Sequence, residues 1–134
     1  MPLPSRCADV AIAGWCFGHS TVWQAADWRA EIARALEEML RLLRPGGRAI
    51  ILETLGTGVD KPRAPSPELA DYYHWLEAGR GFRRRWLRSD YRFASLHEAG
   101  ALLDFFFGAE LAQQVRRSGS CILPECTGIW WRQI

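Results

Sequence analysis

An apolar run near the start of the chain, Val10-Ala11-Ile12-Ala13, ends in Gly14-Trp15-Cys16-Phe17-Gly18-His19. His19 is the first candidate for chemistry. An unperturbed imidazole titrates near neutrality, which suits a general base, although an exposed histidine in a turn is the plain alternative. Glu53 closes a second apolar run. A carboxylate at that end of a strand can orient a polar substrate or a base, or it can cap the loop that follows. Tyr72, Tyr73 and Trp75 lie close enough together to cover an aromatic or lipid-like substrate, while burial is the more common use of such a stripe.

Other residue clusters carry weaker signals. The cysteines stand at 7, 16, 121 and 126, with no C-x-x-C pair. Cys16 and His19 with Cys121 and Cys126 would be a conceivable ligand set. However, residues five apart in an extended strand point to opposite faces, so reduced and mostly buried thiols are the preferred reading and no metal is expected. Arg80, Arg83, Arg84, Arg85, Arg88 and Arg92 crowd a stretch interleaved with Trp86, Tyr91 and Phe93. That pattern is compatible with nucleic-acid contact. A charged, solvated edge strand explains it more simply.

These residues need elements to position them, and 134 residues suffice for one domain with one core. Apolar residues make up 49% and charged residues 24%, an ordinary globular balance, and a net charge of +2 gives no reason to expect a polyanionic partner. No apolar stretch approaches the roughly 20 residues that cross a bilayer, and the start of the chain lacks a signal-peptide pattern, so a cytoplasmic chain is expected.

The run at 10–13 is apolar at every position, as in strands covered on both faces within a parallel sheet. Asp27 can cap a helix that carries Trp28, Ile32, Ala35, Leu36, Met39, Leu42 and Leu43 at helical spacing. Arg44-Pro45-Gly46-Gly47 stops it, and Arg48 to Glu53 forms a second strand, giving a βαβ unit with parallel strands. Residues 54–67 read as a loop at the ligand edge of that strand. Pro67 suits the first turn of a helix over 68–77. Residues 83–93 read as an edge strand, and Ser95 with Glu98 as a capping box for a helix that Gly108 interrupts. Residues 121–131 read as a last strand, bent at Pro124 and Gly128.

With these elements in order, "PLPSRCADVAIAGWCFGH", "EMLRLLRPGG" and "RAIILE" resemble the back half of a class I S-adenosylmethionine-dependent methyltransferase, of the small-molecule, type 11 kind. The landmarks are Leu3-Pro4 leading to Asp9 ahead of the strand, and Leu43-Arg44-Pro45-Gly46-Gly47 after the helix. They cover residues 2–53 well and the remainder more loosely. The resemblance implies an α/β fold: a partial Rossmann-like sheet holding strands 4, 5, 6 and 7 of the family order 3-2-1-4-5-7-6, the last antiparallel, in one domain spanning 1–134.

The resemblance further implies methyl transfer from S-adenosylmethionine to a small molecule. Ala13, Gly14 and Trp15 would lie against the cofactor. Cys16, His19, Glu53, Tyr72, Tyr73 and Trp75 would face the substrate. Strands 1 to 3, the Gly-rich loop after strand 1 and the ribose-binding acid after strand 2 have no counterpart, and Gly56-Thr57-Gly58 does not replace that loop. The expectation is therefore a C-terminal part, inactive alone, whose first strand is open to a second copy or to a separately made front half. The alternative function is a non-catalytic protein that pairs through that strand.

Overall fold

The computed structural model describes residues 2–23 and 26–134. The first apolar run forms β1 (Ala8–Gly14), which pairs parallel with β2 (Leu43–Thr57) in the register Ile12 to Ile50 and Gly14 to Leu52. Among the described residues no strand lies along its other side. A single tight turn at Phe17–His19 leads into a short helix, α1 (Ser20–Trp23).

The connection back to β2 is α2 (Trp28–Arg41), whose Trp28, Ile32, Leu36 and Met39 recur on one face and are buried. The expected Asp27 side-chain cap does not form. Its backbone carbonyl instead accepts from Ala30 and Glu31 at 3.1 and 3.2 Å.

β2 is longer at both ends than the sequence suggested. The Pro45-Gly46-Gly47 segment does turn, with Gly46 at φ +83, but it also joins the sheet. Gly46 donates to the carbonyl of Ile134, and Ile134 donates back to that of Gly47. At the other end, residues 54–57 continue the strand, so the loop occupies only residues 58–66.

Ser66 caps α3 (Pro67–His74), accepting from the Leu69 amide, and the helix continues as a wider turn over Trp75–Gly79. Next comes β3 (Arg83–Arg88), which is exposed throughout. The expected single strand over 83–93 is broken, because Arg88 reaches over Asp90 at 2.7 Å and Asp90 accepts the Glu125 amide. The chain therefore leaves the sheet, and β4 (Tyr91–Arg92) pairs elsewhere.

α4 (Leu96–Phe107) starts at the Ser95 cap, with Glu98 reaching back to the Ala94 amide. Gly108, at φ +87, separates it from α5 (Ala109–Ser118). The expected last strand is two: β5 (Ile122–Leu123) pairs with β4, Pro124 has no amide hydrogen to continue the ladder, and β6 (Glu125–Gln133) joins the main sheet.

The fold is thus mixed α/β, with a four-stranded sheet in the order β1-β2-β6-β3. Only β1 and β2 pair in parallel, and β6 is antiparallel to both neighbours, so that β3 runs in the same direction as β1 and β2. One sheet face, carrying Ala49, Ile51, Leu55 and Trp130, forms the main core with α2 and α3. The other carries Val10, Ile12, Ile50, Leu52, Ile129 and Trp131, none of them fully buried. A smaller cluster ties α4, α5 and β5. No helix among the described residues is long and apolar enough to cross a membrane.

Candidate functional site

The parallel pairing of β1 and β2 brings their carboxyl ends side by side, and this juxtaposition builds the site. β1 is released at Trp15, whose amide still donates to the Leu52 carbonyl at 2.8 Å. Trp15 has φ +48. Bulky residues rarely adopt the left-handed region, and such strain collects where the surrounding structure or function imposes it. The Trp15 ring is half exposed.

The chain then dips so that the buried Gly18 amide donates to Glu53 Oε1 at 3.0 Å. Only glycine fits comfortably here: a Cβ would sit 3.1 Å from both Glu53 Oε2 and Leu69 Cδ2. Thr21, also buried, donates its hydroxyl to the Gly18 carbonyl at 2.7 Å and closes the turn.

Glu53 is 4% exposed. Burial pushes its carboxyl up to about 7, against the opposing pull of the Gly18 and Phe17 amides and the Tyr72 hydroxyl. Tyr72 approaches Oε1 at 3.5 Å, a weak contact. The Cys16 thiol is raised by burial and then by the Glu53 charge, so it stays protonated and is no ready nucleophile. Burial, followed by the same carboxylate, also pushes the Tyr72 and Tyr73 hydroxyls well above their ordinary value.

The site residues named from sequence separate into two groups. Ala13, Gly14, Trp15, Cys16, Glu53 and Tyr72 come together at the paired strand ends. His19 is exposed, and its ring stacks on Trp23 with centroids 4.9 Å apart. Tyr72 and Tyr73 are core residues, not a lid: Tyr73 donates to the Thr54 carbonyl at 2.7 Å and stacks on Trp130. Trp75 is half-buried beside Trp28. Of the four thiols only Cys126 is buried, and Cys16 is exposed because the chain turns outward past β1.

The arginine-rich segment lies on the sheet edge, where Arg84 pairs with Glu77 and Arg88 with Asp60 and Asp90. Among the described residues no group of three or more His, Cys, Asp or Glu side chains could hold a metal ion.

Sequence reasoning missed Gly18 and Thr21 as partners of the turn. The available signal was a glycine four residues past Gly14, set against an acid at the matching end of the next strand. It also missed Glu125, buried with Oε1 accepting from Thr54 at 2.8 Å and Oε2 without a hydrogen-bond partner among the described residues.

Beside the open edge of β1 runs an apolar groove of about 620 Å³, lined by Val10, Ile12, Gly14, Phe17 and Met39 among others. It reaches Cys16, so the groove and the strained turn form one continuous surface.

No protein-family model matches the chain, and no curated protein matches it in sequence. Three of the solved structures that the chain is similar to are the following. One is a protein from Bacillus halodurans assigned as a methyltransferase, 14% identical, TM-score 0.47, with 99% of this chain matching 67% of that one. The [4+2]-cyclase SpnF is 18% identical, TM-score 0.41, with 99% of this chain on 52% of it. A protein from Anaeromyxobacter dehalogenans assigned as a type II methyltransferase is 18% identical, TM-score 0.42, with 96% of this chain on 64% of it. The chain therefore spans between half and two thirds of the length of the solved structures it is similar to.

Proposed function

We propose that the chain forms the back half of a class I methyltransferase that uses S-adenosylmethionine to methylate a small molecule. The observation that carries this reading is the sheet order β1-β2-β6-β3 with β6 antiparallel. It fits strands 4-5-7-6 of the partial Rossmann-like sheet that the sequence resemblance implies. The "PLPSRCADVAIAGWCFGH" and "LRPGG" landmarks then fall on β1, on the turn beyond it and on the start of β2.

The residues at the strand ends fit one wall of a cofactor site. Gly14 is open, with the nearest side-chain atom 4.0 Å from where a Cβ would be, and the exposed Trp15 ring offers a flat apolar surface. The bound cofactor would supply the electrophilic methyl group. Methyl transfer from a sulfonium depends chiefly on alignment and exclusion of water, which asks for shape rather than a fixed dyad. Ala13, Gly14 and Trp15 would bind and orient, Cys16 and Phe17 would line the acceptor side, and Glu53 would hold the turn. The exposed His19 would act as a general base.

A second reading is favoured by the open edge of β1 and the exposure of Val10 and Ile12: pairing with a second copy or with a separate front half. It is compatible with the first, because a front half carrying a Gly-rich loop would pair along this same edge of β1.

Calorimetry with S-adenosylhomocysteine tests the methyltransferase reading. The chain alone should give no saturable heat. Joined behind a Gly-rich βαβ front half from a methyltransferase, it should bind, and Trp15→Ala should weaken that binding at least tenfold. A chimaera that melts cooperatively yet binds nothing would contradict the reading.

A further inference from the structure

The hydrogen-bonding demands around Glu53 are one-sided. On the side of the turn it faces the Gly18 and Phe17 amides, and on the side of α3 the Tyr72 hydroxyl; all three favour its charged form. An ionised carboxylate only accepts hydrogen bonds, so these partners match it. The remaining titratable groups near it are Cys16, from the turn, and Tyr73, from α3, both of which feel its charge. β6 offers only Gly128 at the paired position, and α2 contributes the uncharged Trp28, packed against Tyr72. No cation among the described residues contributes to it.

Once protonated, Glu53 carries a hydrogen of its own and one oxygen becomes a donor. Among its hydrogen-bond partners in the described residues the Tyr72 hydroxyl is the one that can turn round to accept it, and it is 3.5 Å away. The buried Gly18 amide then keeps a neutral, weaker acceptor. Gly18 is also where the carboxylate comes close to the backbone, so that an added Cβ would sit 3.1 Å from Glu53 Oε2.

We propose that Glu53 is the positioning residue of this site: ionised, it pins the Phe17–Gly18 backbone beyond β1, and protonated, it lets that turn loosen. The surface next to Trp15 and Cys16 therefore changes with the charge on one buried carboxyl. The consequence for cofactor or acceptor binding rests on the methyltransferase reading; the strut itself does not. Because burial brings the group up to about 7, the change falls near neutrality.

Amide NMR of the whole chain between pH 5.5 and 8.5, without ligand, tests this. The Gly18 amide proton should move downfield through one step near pH 7. Its exchange protection against local opening that leaves Glu53 buried, corrected for intrinsic rates, should rise roughly fivefold to tenfold across that step, reflecting the stronger bond to a charged acceptor, while protection set by global unfolding falls over the same range. Glu53→Gln, whose amide oxygen still accepts from Gly18, should remove the step. Tyr72→Phe, lacking one donor to the charged form, should move it to higher pH.

A step that persists unchanged in Glu53→Gln, or a Gly18 amide that stays flat while the Glu53 carboxyl titrates, would overturn the proposal. Titration of Glu53 in the ordinary carboxylate range would do the same. The strut can hold while the cofactor calorimetry fails, and the reverse, so the two claims fail separately.

Discussion

Gly18 is the residue on which the site's geometry turns, since it lets a backbone amide rest against a buried acid. Gly18→Ala forces a methyl group to within 3.1 Å of Glu53 Oε2 and Leu69 Cδ2. Overpacking of this kind should cost about 1–3 kcal/mol, measurable by urea unfolding. Glu53 itself leaves a signature in the pH dependence of stability. Its folded pKa of about 7 lies above the ordinary 4.5. Between those values the folded chain holds a proton that the unfolded chain has released, so stability falls as pH rises through that window and levels off above it. The fall should be about 3 kcal/mol. Glu53→Gln should flatten it, leaving only the same-signed part from Glu125, which burial also raises. Glu53 was legible in the sequence because it ends an apolar run. Its partner Gly18 was not, because periodicity says nothing about which backbone amide a turn will aim.

Among the elements, those defined by local chemistry were the legible ones. The helical spacing of Ile32, Leu36 and Met39, Pro67 at a first turn, and Ser95 with Glu98 all read directly, because each rests on contacts within a few residues. Ser95→Ala should therefore cost about 1 kcal/mol of stability, seen as a lower denaturant midpoint. The strand boundaries were less legible, for they depend on distant partners. Leu43 joins the sheet through Ala8 of β1, Gly46 and Gly47 are held by the returning Ile134, and β3 ends where Asp90 captures Arg88 and the Glu125 amide. The Tyr72-Tyr73 pair shows the same limit: the sequence marks it as aromatic, and only the packing of α3 on β2 and β6 makes it core.

For the whole molecule, β1 is a strand with an open edge among the described residues. Among the described residues it pairs with a strand on one side alone, and it presents Val10 and Ile12 at 50% and 64% exposure. Few unprotected strand edges stay alone in water. Sedimentation should detect concentration-dependent association, and Ile12→Lys should abolish it while changing stability by less than about 0.5 kcal/mol. A clean monomer at high concentration would contradict pairing with a second copy through this edge. The order of the sheet could be anticipated only through the family resemblance, since local pattern does not fix which strand neighbours which. What touches a bound cofactor tests the methyltransferase reading most directly. A crystal structure of the front-half chimaera with S-adenosylhomocysteine should place the ligand against Gly14 and the Trp15 ring, with the Gly18–Glu53 bond intact. Ligand bound elsewhere, with residues 13–17 untouched, would contradict it.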